Sequence, residues 1–293
     1  MNLLKSIFIS NYMMVAMGIA GYAGWRIFHG ADIIAWGGVL LATAPLMMLI
    51  GWLMMFKNAA RTSKHFPVIN LLGAMGTGMA AWAWHGQGVS VFVPIGPLAP
   101  ILALIGWGGF LLYVYWYSNY GRKPSPRLKV GSSLPNFTVK HANGTLLQSS
   151  QLTDKPTILI FYRGNWCPLC VAQVKELVAK YKDLDALGAR VALISPQPHA
   201  NTVALAKKYG VEFEFLTDEG NAAARTLGID QNHGLPMGMQ MMGYDSETVM
   251  PTVIITDANG KIIWVHETDN YRVRPEPDVY LEVLRKRVVM ADA

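Results

Sequence analysis

The sequence predicts two parts of different class in one chain: an α-helical transmembrane region of about four spans, then an α/β domain with a mixed sheet. Three observations predict it. Four long apolar stretches precede residue 120. From Gly131 onward short apolar runs alternate with helical patterns. Charge divides at the same place, with nine Lys and Arg against the single acid Asp32 in residues 1–129 and sixteen against eighteen acids in 130–293. The formal net charge of +6 therefore comes from the apolar half. No clustered basic face marks the second half, so no nucleic-acid partner is expected.

The apolar stretches run over about 7–25, 33–56, 67–84 and 95–117. A helix needs roughly 20 apolar residues to cross a bilayer core, so residues 1–120 are read as four spans. The third is the shortest and richest in Gly and Ala, and a buried soluble helix competes with a span there alone. None of the four contains Lys, Arg, Asp or Glu, which disfavours an ion path or proton relay. Gly18, Gly21 and Gly24 suit small-residue packing. Trp25, Trp84 and Trp116 fall near span ends, where interface anchors sit. His65 and His85 flank the third span and read as interfacial residues, not haem ligands.

With four spans, Lys5, Lys57, Arg61, Lys64, Arg122, Lys123, Arg127 and Lys129 share one side, and only Arg26 lies opposite. By the positive-inside rule this makes an integral protein of the bacterial inner membrane with its second half in the cytoplasm. Lys5 and the apolar run after it also fit a signal peptide. Its removal would leave three spans and the same final side.

Residues 121–130 form a basic linker in which Pro124 and Pro126 stop helix continuation. The domain over 131–293 then unfolds element by element. Asn136 to His141 alternates as a strand and turns at Asn143-Gly144, and Thr157 to Tyr162 is a continuous apolar run typical of a buried strand. A helix begins near Cys167 and carries Val171, Val174, Leu177 and Val178 at helical spacing until Leu187-Gly188. Arg190 to Ser195 reads as a strand, Asn201 to Tyr209 as a helix, Glu212 to Thr217 as a strand and Asn221 to Leu227 as a short helix. Thr252 to Asp257 and Lys261 to His266 make a hairpin around Asn259-Gly260. A last helix runs from about Pro275 to Arg287.

Only two cysteines occur, Cys167 and Cys170. They exclude a disulfide framework, and a zinc site would need two further ligands that no histidine spacing supplies. What they do suit is thiol redox chemistry. A buried strand delivers them to a helix start, where free N–H groups and partial positive charge favour thiolate over thiol. Residues three apart on a helix share a face, so one sulfur can close a disulfide with the other. Pro168 fits the first helical turn, and Arg163 adds a positive charge four residues ahead.

Over about 131–284 the sequence resembles the AhpC/TSA (peroxiredoxin-like) branch of the thioredoxin superfamily. The resemblance rests on Leu134-Pro-Asn-Phe137, Phe161-Tyr-Arg-Gly-Asn-Trp-Cys-Pro-Leu-Cys170, Ile194-Ser-Pro-Gln197 and Tyr271-Arg-Val-Arg-Pro-Glu-Pro277. It implies a thioredoxin-like fold and a thiol-dependent oxidoreductase or peroxidase. Aligned on the strand, Cys170 looks like the peroxide-attacking cysteine of peroxiredoxins, with Cys167 where those enzymes usually place Thr. Aligned on Trp166-Cys-x-x-Cys, Cys167 looks like the attacking cysteine of thioredoxins. Met250-Pro251-Thr252 resembles the thioredoxin cis-proline and favours disulfide exchange, whereas Phe161 stands where thioredoxins keep a buried Asp.

The expectation is a membrane-anchored thiol-disulfide oxidoreductase in which Cys167 attacks and Cys170 resolves, supported by Arg163, Trp166, Pro168, Pro251 and Thr252. A peroxidase with Cys170 oxidised first is the alternative, and a membrane redox sensor or assembly factor without turnover is a second, of another class. The spans lack cysteine, so the electrons must come from an external thioredoxin or glutathione system. The substrate is a protein disulfide or a peroxide, and no cofactor or metal is called for. Met237, Met239, Met241, Met242 and Met250 suit an adaptable groove or ordinary packing. His233 reads as a surface residue ahead of a proton donor, and Arg272 and Arg274, near the active-site side, as solvated or paired with Glu276 ahead of binding an anionic substrate.

Overall fold

The structure is a computed structural model that describes residues 2–55, 63–86 and 97–291. Lys57, Arg61, the end of the second stretch at Phe56, the start of the fourth at Ile95 and the loop over 87–93 lie outside the described residues. The chain divides into two compact units near Asn119 and Tyr120.

The first unit is helical, with α1 (Asn2–Phe28), α2 (Ile33–Met55), α3 (Pro67–Gly86) and α4 (Leu98–Leu112), which continues as a π-helix over Tyr113–Tyr117. Asp32, the lone acid of this half, caps α2. Its Oδ1 accepts from the N–H groups of Ile34 and Ala35 at 2.8 and 2.9 Å, which satisfies donors that have no partner within the helix. The helices approach through small residues. A Cβ placed on Gly38 of α2 would lie 2.4 Å from the Gly76 carbonyl of α3, and one on Gly106 of α4 would lie 2.1 Å from Thr43. Gly73 of α3 is covered by the Trp107 ring. The glycines expected to pack, Gly18, Gly21 and Gly24 of α1, face open space instead.

Three of these helices, α1, α2 and the α4 segment Leu98–Tyr117, are long and apolar enough to cross a membrane. The expected count of four is corrected to three. α3 has the length, but Asn70, Thr77, His85 and a run of Gly and Ala leave it less apolar than a bilayer core demands. Its glycines serve contact with α2 and α4.

In the second unit the chain folds as β1 (Thr138–His141), β2 (Leu146–Gln148), α5 (Ser149–Leu152), β3 (Thr157–Phe161), α6 (Pro168–Ala179), α7 (Tyr181–Asp185), β4 (Arg190–Ser195), α8 (His199–Tyr209), β5 (Glu214–Thr217), α9 (Ala222–Leu227), β6 (Asp230–Gln231), β7 (Thr248–Val249), β8 (Thr252–Thr256), β9 (Ile262–Glu267) and α10 (Pro277–Ala291). Seven strands make one mixed sheet in the order β2-β1-β5-β4-β3-β8-β9. β3, β4 and β5 are parallel, and the outer pairings are antiparallel.

β3 is central because it is apolar on both faces. Ile158 and Ile160 point into the core that holds α6 and α10, while Leu159 and Phe161 point into the core of the opposite face. Cys167 and Cys170 belong to the first core. The expected buried strand thus runs straight to the cysteine helix.

Elsewhere the boundaries shift for local reasons. The helix from Cys167 ends at Ala179, because Lys180 leaves helical geometry (φ −101°, ψ 13°), and α7 follows as a separate turn. β2 was too short for an alternation pattern to reveal. The β8–β9 turn is organised by Asp257, whose Oδ1 accepts from the N–H groups of Asn259 and Lys261. Residues 122–127 are tied to the α/β unit. Arg122 pairs with Glu267 at 2.6 Å with its side chain only 2% exposed, and Ser125 Oγ donates to the Leu227 carbonyl at 2.6 Å.

Candidate active site

The site begins where β3 ends. Tyr162 prolongs the pairing with β4 by donating to the Ile194 carbonyl, and the chain then turns at Gly164 with φ +137°. Only glycine fits this turn, because a Cβ there would lie 2.8 Å from the Trp166 ring. Cys167 is the N-cap of α6 and Pro168 its first residue. The Cys167 carbonyl accepts from the N–H groups of Cys170 and Val171, both at 3.0 Å. Both thiols are free and buried.

Arg274 reaches this turn from the segment before α10. Its Nη2 lies 3.4 Å from Cys170 Sγ, its Nη1 donates to Gln173 Oε1 at 2.8 Å, and its Nε donates to the Tyr271 carbonyl at 3.1 Å. Gln173, on the face of α6 that carries Cys170, is held in turn by Nε2 donation to Tyr280 Oη at 3.2 Å. The guanidinium is therefore fixed on three sides. Arg274 is thus engaged at the cysteine turn and not simply solvated.

The two sulfurs differ sharply. Burial alone would raise the Cys170 thiol, but the hydrogen bond from Cys167 and the charges of Arg274 and Arg163 outweigh it and bring it down to about 5. Cys167 moves the other way, pushed up by burial and by the hydrogen bond and charge of Cys170. The two shifts are coupled and opposite, and the Arg274 contact favours negative charge on Cys170 over Cys167.

The loop ahead of the cysteines is braced by polar side chains. Gln197 Oε1 accepts from the Asn165 N–H at 2.8 Å, while its Nε2 donates to Tyr162 Oη and Thr202 Oγ1. Tyr244 Oη donates to Asn165 Oδ1. The Arg163 carbonyl accepts from Trp166 Nε1 and Thr248 Oγ1, each at 3.2 Å.

Of the supporting residues expected from sequence, Arg163, Trp166 and Pro168 lie in the cysteine turn. Pro251 and Thr252 lie at the start of β8, engaged by Arg122. Its Nη1 donates to the Pro251 carbonyl and its Nη2 to Thr252 Oγ1. No cis peptide bond occurs among the described residues, so the bond before Pro251 is trans and the likeness to a cis-proline is corrected. Met237, Met241, Met242 and His233 are exposed. Arg272 is buried, not solvated. Among the described residues no group of three or more His, Cys, Asp and Glu is placed to hold a metal ion.

Sequence reasoning did not find Gln173, Gln197 or the Arg274 contact. Arg274 lies 104 positions from Cys170, and its only signal was membership in the Tyr271-to-Pro277 run.

Residues 130–265 match the model of the AhpC/TSA family. The chain is 33% identical over 125 residues to the chloroplastic peroxiredoxin Q of Triticum aestivum, covering 42% of this chain and 58% of that protein. It is 24% identical over 166 residues to the thiol-disulfide oxidoreductase ResA of Bacillus thuringiensis, covering 56% and 81%. Among solved structures, the peroxidoxin BcpB of Mycobacterium tuberculosis aligns with TM-score 0.45 and 21% identity, over 54% of this chain and 97% of that one. The chain thus spans less than two thirds of the peroxiredoxin Q proteins it resembles.

Proposed function

We propose that this chain is a membrane-attached thiol peroxidase of the thioredoxin fold, in which Cys170 attacks and Cys167 resolves. The observation that carries the reading is Arg274 Nη2 at 3.4 Å from Cys170 Sγ, which favours negative charge on that sulfur. The Cys170 thiolate attacks one oxygen of a hydroperoxide and the O–O bond breaks. The departing oxygen takes a proton and leaves as water or an alcohol, and Cys170 becomes a sulfenic acid. Cys167 then displaces the hydroxyl, releasing water and closing the disulfide. An external thioredoxin-type dithiol, or two glutathione molecules, returns two electrons and two protons.

Full burial of Cys170 selects a small oxidant over a folded protein disulfide as first reactant. The N–H groups of the α6 terminus and the Arg274 guanidinium both favour charge on sulfur in the ground state. As the disulfide closes, the proton of Cys167 passes to the departing hydroxyl, which leaves as water, and the attacking sulfur gains thiolate character in that step.

Stopped-flow peroxide consumption tests the assignment. The Cys167→Ser chain should consume about one equivalent of peroxide rapidly and accumulate sulfenic acid, whereas Cys170→Ser should be inert. The reverse pattern would sink it.

A second reading, disulfide exchange begun by Cys167, is favoured by one observation: Cys167 is the N-cap of α6, where a helix terminus acts most directly. Trapping of a mixed disulfide at Cys167 in the Cys170→Ser chain would establish that route. Negligible turnover together with a co-purifying membrane partner would point to a sensor or assembly role.

The helices α1, α2 and α4 supply the membrane attachment. The basic cluster Arg122, Lys123, Arg127 and Lys129 directly after the last of them supports an inner-membrane protein with its α/β domain on the cytoplasmic side.

A further inference from the structure

The guanidinium of Arg163 lies over two aromatic faces. Its Cζ is 4.7 Å from the ring centroid of Trp166 and 5.2 Å from that of Tyr271, and its Nη2 donates to the Gly234 carbonyl. Arg163 is only 3% exposed. In such a desolvated place a ring face holds a guanidinium more firmly than it does at a surface.

Tyr271 also touches the other cation of the site. Its carbonyl accepts from Arg274 Nε at 3.1 Å, and the same guanidinium reaches Cys170 Sγ. One buried residue therefore meets both positive charges, Arg163 through its ring and Arg274 through its main chain.

We infer that Tyr271 is a positioning residue for the reactive thiol, its ring fixing Arg163 and its carbonyl fixing Arg274 so that both cations bear on Cys170 together. A guanidinium is flat, and contact with two ring faces restricts its rotamer freedom. Without the Tyr271 ring, Arg163 keeps its charge but loses its fixed distance from the sulfur. The inference rests on Cys170 being the charged sulfur, as proposed above, and adds the residue that sets its surroundings.

The test titrates Cys170 by thiolate ultraviolet absorbance in the full-length Cys167→Ser chain in detergent, where it is the single thiol. The readout needs no peroxide turnover. Tyr271→Leu should raise the midpoint by about one pH unit, a tenfold change in the thiolate-to-thiol ratio. Tyr271→Phe, which keeps the ring, should retain the parent midpoint. Arg163→Met should raise it in the same direction, and adding Tyr271→Leu to Arg163→Met should move it little further.

An unmoved midpoint in Tyr271→Leu would overturn the inference. So would a Phe variant that shifts as far as Leu, or fully additive shifts. If Tyr271→Leu does not fold, Arg163→Met decides, because an unmoved midpoint there leaves the clamp no charge to position. A shifted midpoint with no peroxide consumption by Cys167→Ser would refute the peroxidase reading and leave this inference standing. Normal consumption with unmoved midpoints would do the opposite.

Discussion

At the scale of single residues, the proposed reading makes Arg274 the residue that decides which sulfur carries the charge. Helix geometry favours the N-cap position, Cys167, but a full positive charge in contact with Cys170 outweighs the partial charge of a helix end. Arg274→Gln removes that charge and leaves Gln173 without its donor. The Cys170 midpoint should then climb from about 5 toward the ordinary thiol value of 9.0. At pH 7 the thiolate fraction, and with it the rate of peroxide consumption, should fall by about tenfold or more. The sign is testable across pH. The parent rate should hold through neutrality and decline only as pH drops through about 5, whereas the variant should still be rising above pH 7. Arg274→Lys should lie between, since an ammonium keeps the charge without the fork that holds Gln173 and sulfur together. A variant with the parent's pH profile would show that Arg274 is not the charge that matters. The same depressed value has a stability consequence. Its contribution to the reduced fold is fully present above the unfolded value and is lost as pH falls through about 5. The cysteines and their helix were legible because adjacent residues encode them. Arg274 was not, because its contact is made by tertiary folding alone.

At the scale of elements, the sequence was most readable where burial is complete. Arg190 to Ser195 and Thr157 to Phe161 emerge as strands within a residue of their observed bounds, since a strand covered on both faces is one continuous apolar run. The reading failed where a short element is fixed by partners elsewhere. β2 exists through its pairing with β1, and the break at Lys180 has no Pro or Gly to announce it. The turn between β3 and α6 is the element on which the site depends, and Gly164 is its hinge. Gly164→Ala places a Cβ 2.8 Å from the Trp166 ring at a backbone angle of +137°. The substitution should destabilise the fold by about 1–3 kcal/mol. Because Trp166 must shift, and with it the aromatic cover of Arg163, the reaction with peroxide should also slow. Thermal unfolding and stopped-flow traces on the same preparation check both effects. Loss of stability with an unchanged rate would separate the turn from the chemistry.

At the scale of the whole molecule, the inferred side of the membrane depends on how many helices cross it. With four crossings, eight of the nine basic residues in the first 129 positions fall on one side. With α1, α2 and α4 alone, Lys5, Lys57, Arg61 and Lys64 oppose Arg26, Arg122, Lys123, Arg127 and Lys129, and most of the bias disappears. Arg122 is in addition half of a buried ion pair with Glu267, so its place in the sequence also has a folding reason. What remains is the density of charge directly after the last apolar helix. The chain's two cysteines make the question tractable, because Cys167→Ser with Cys170→Ser leaves no thiol. Single cysteines can then be installed at His29, in the exposed turn between α1 and α2, and at Glu282, whose side chain on α10 is 64% exposed. Three crossings put His29 and Glu282 on the same side, and the basic cluster puts that side in the cytoplasm. Both His29→Cys and Glu282→Cys should therefore resist a membrane-impermeant maleimide in intact cells and react after permeabilisation. Labelling at Glu282→Cys without permeabilisation would refute the cytoplasmic placement. Labelling at His29→Cys alone would show that α3 crosses as well, carried through the bilayer by its glycine contacts with α2 and α4 and not by its own apolarity.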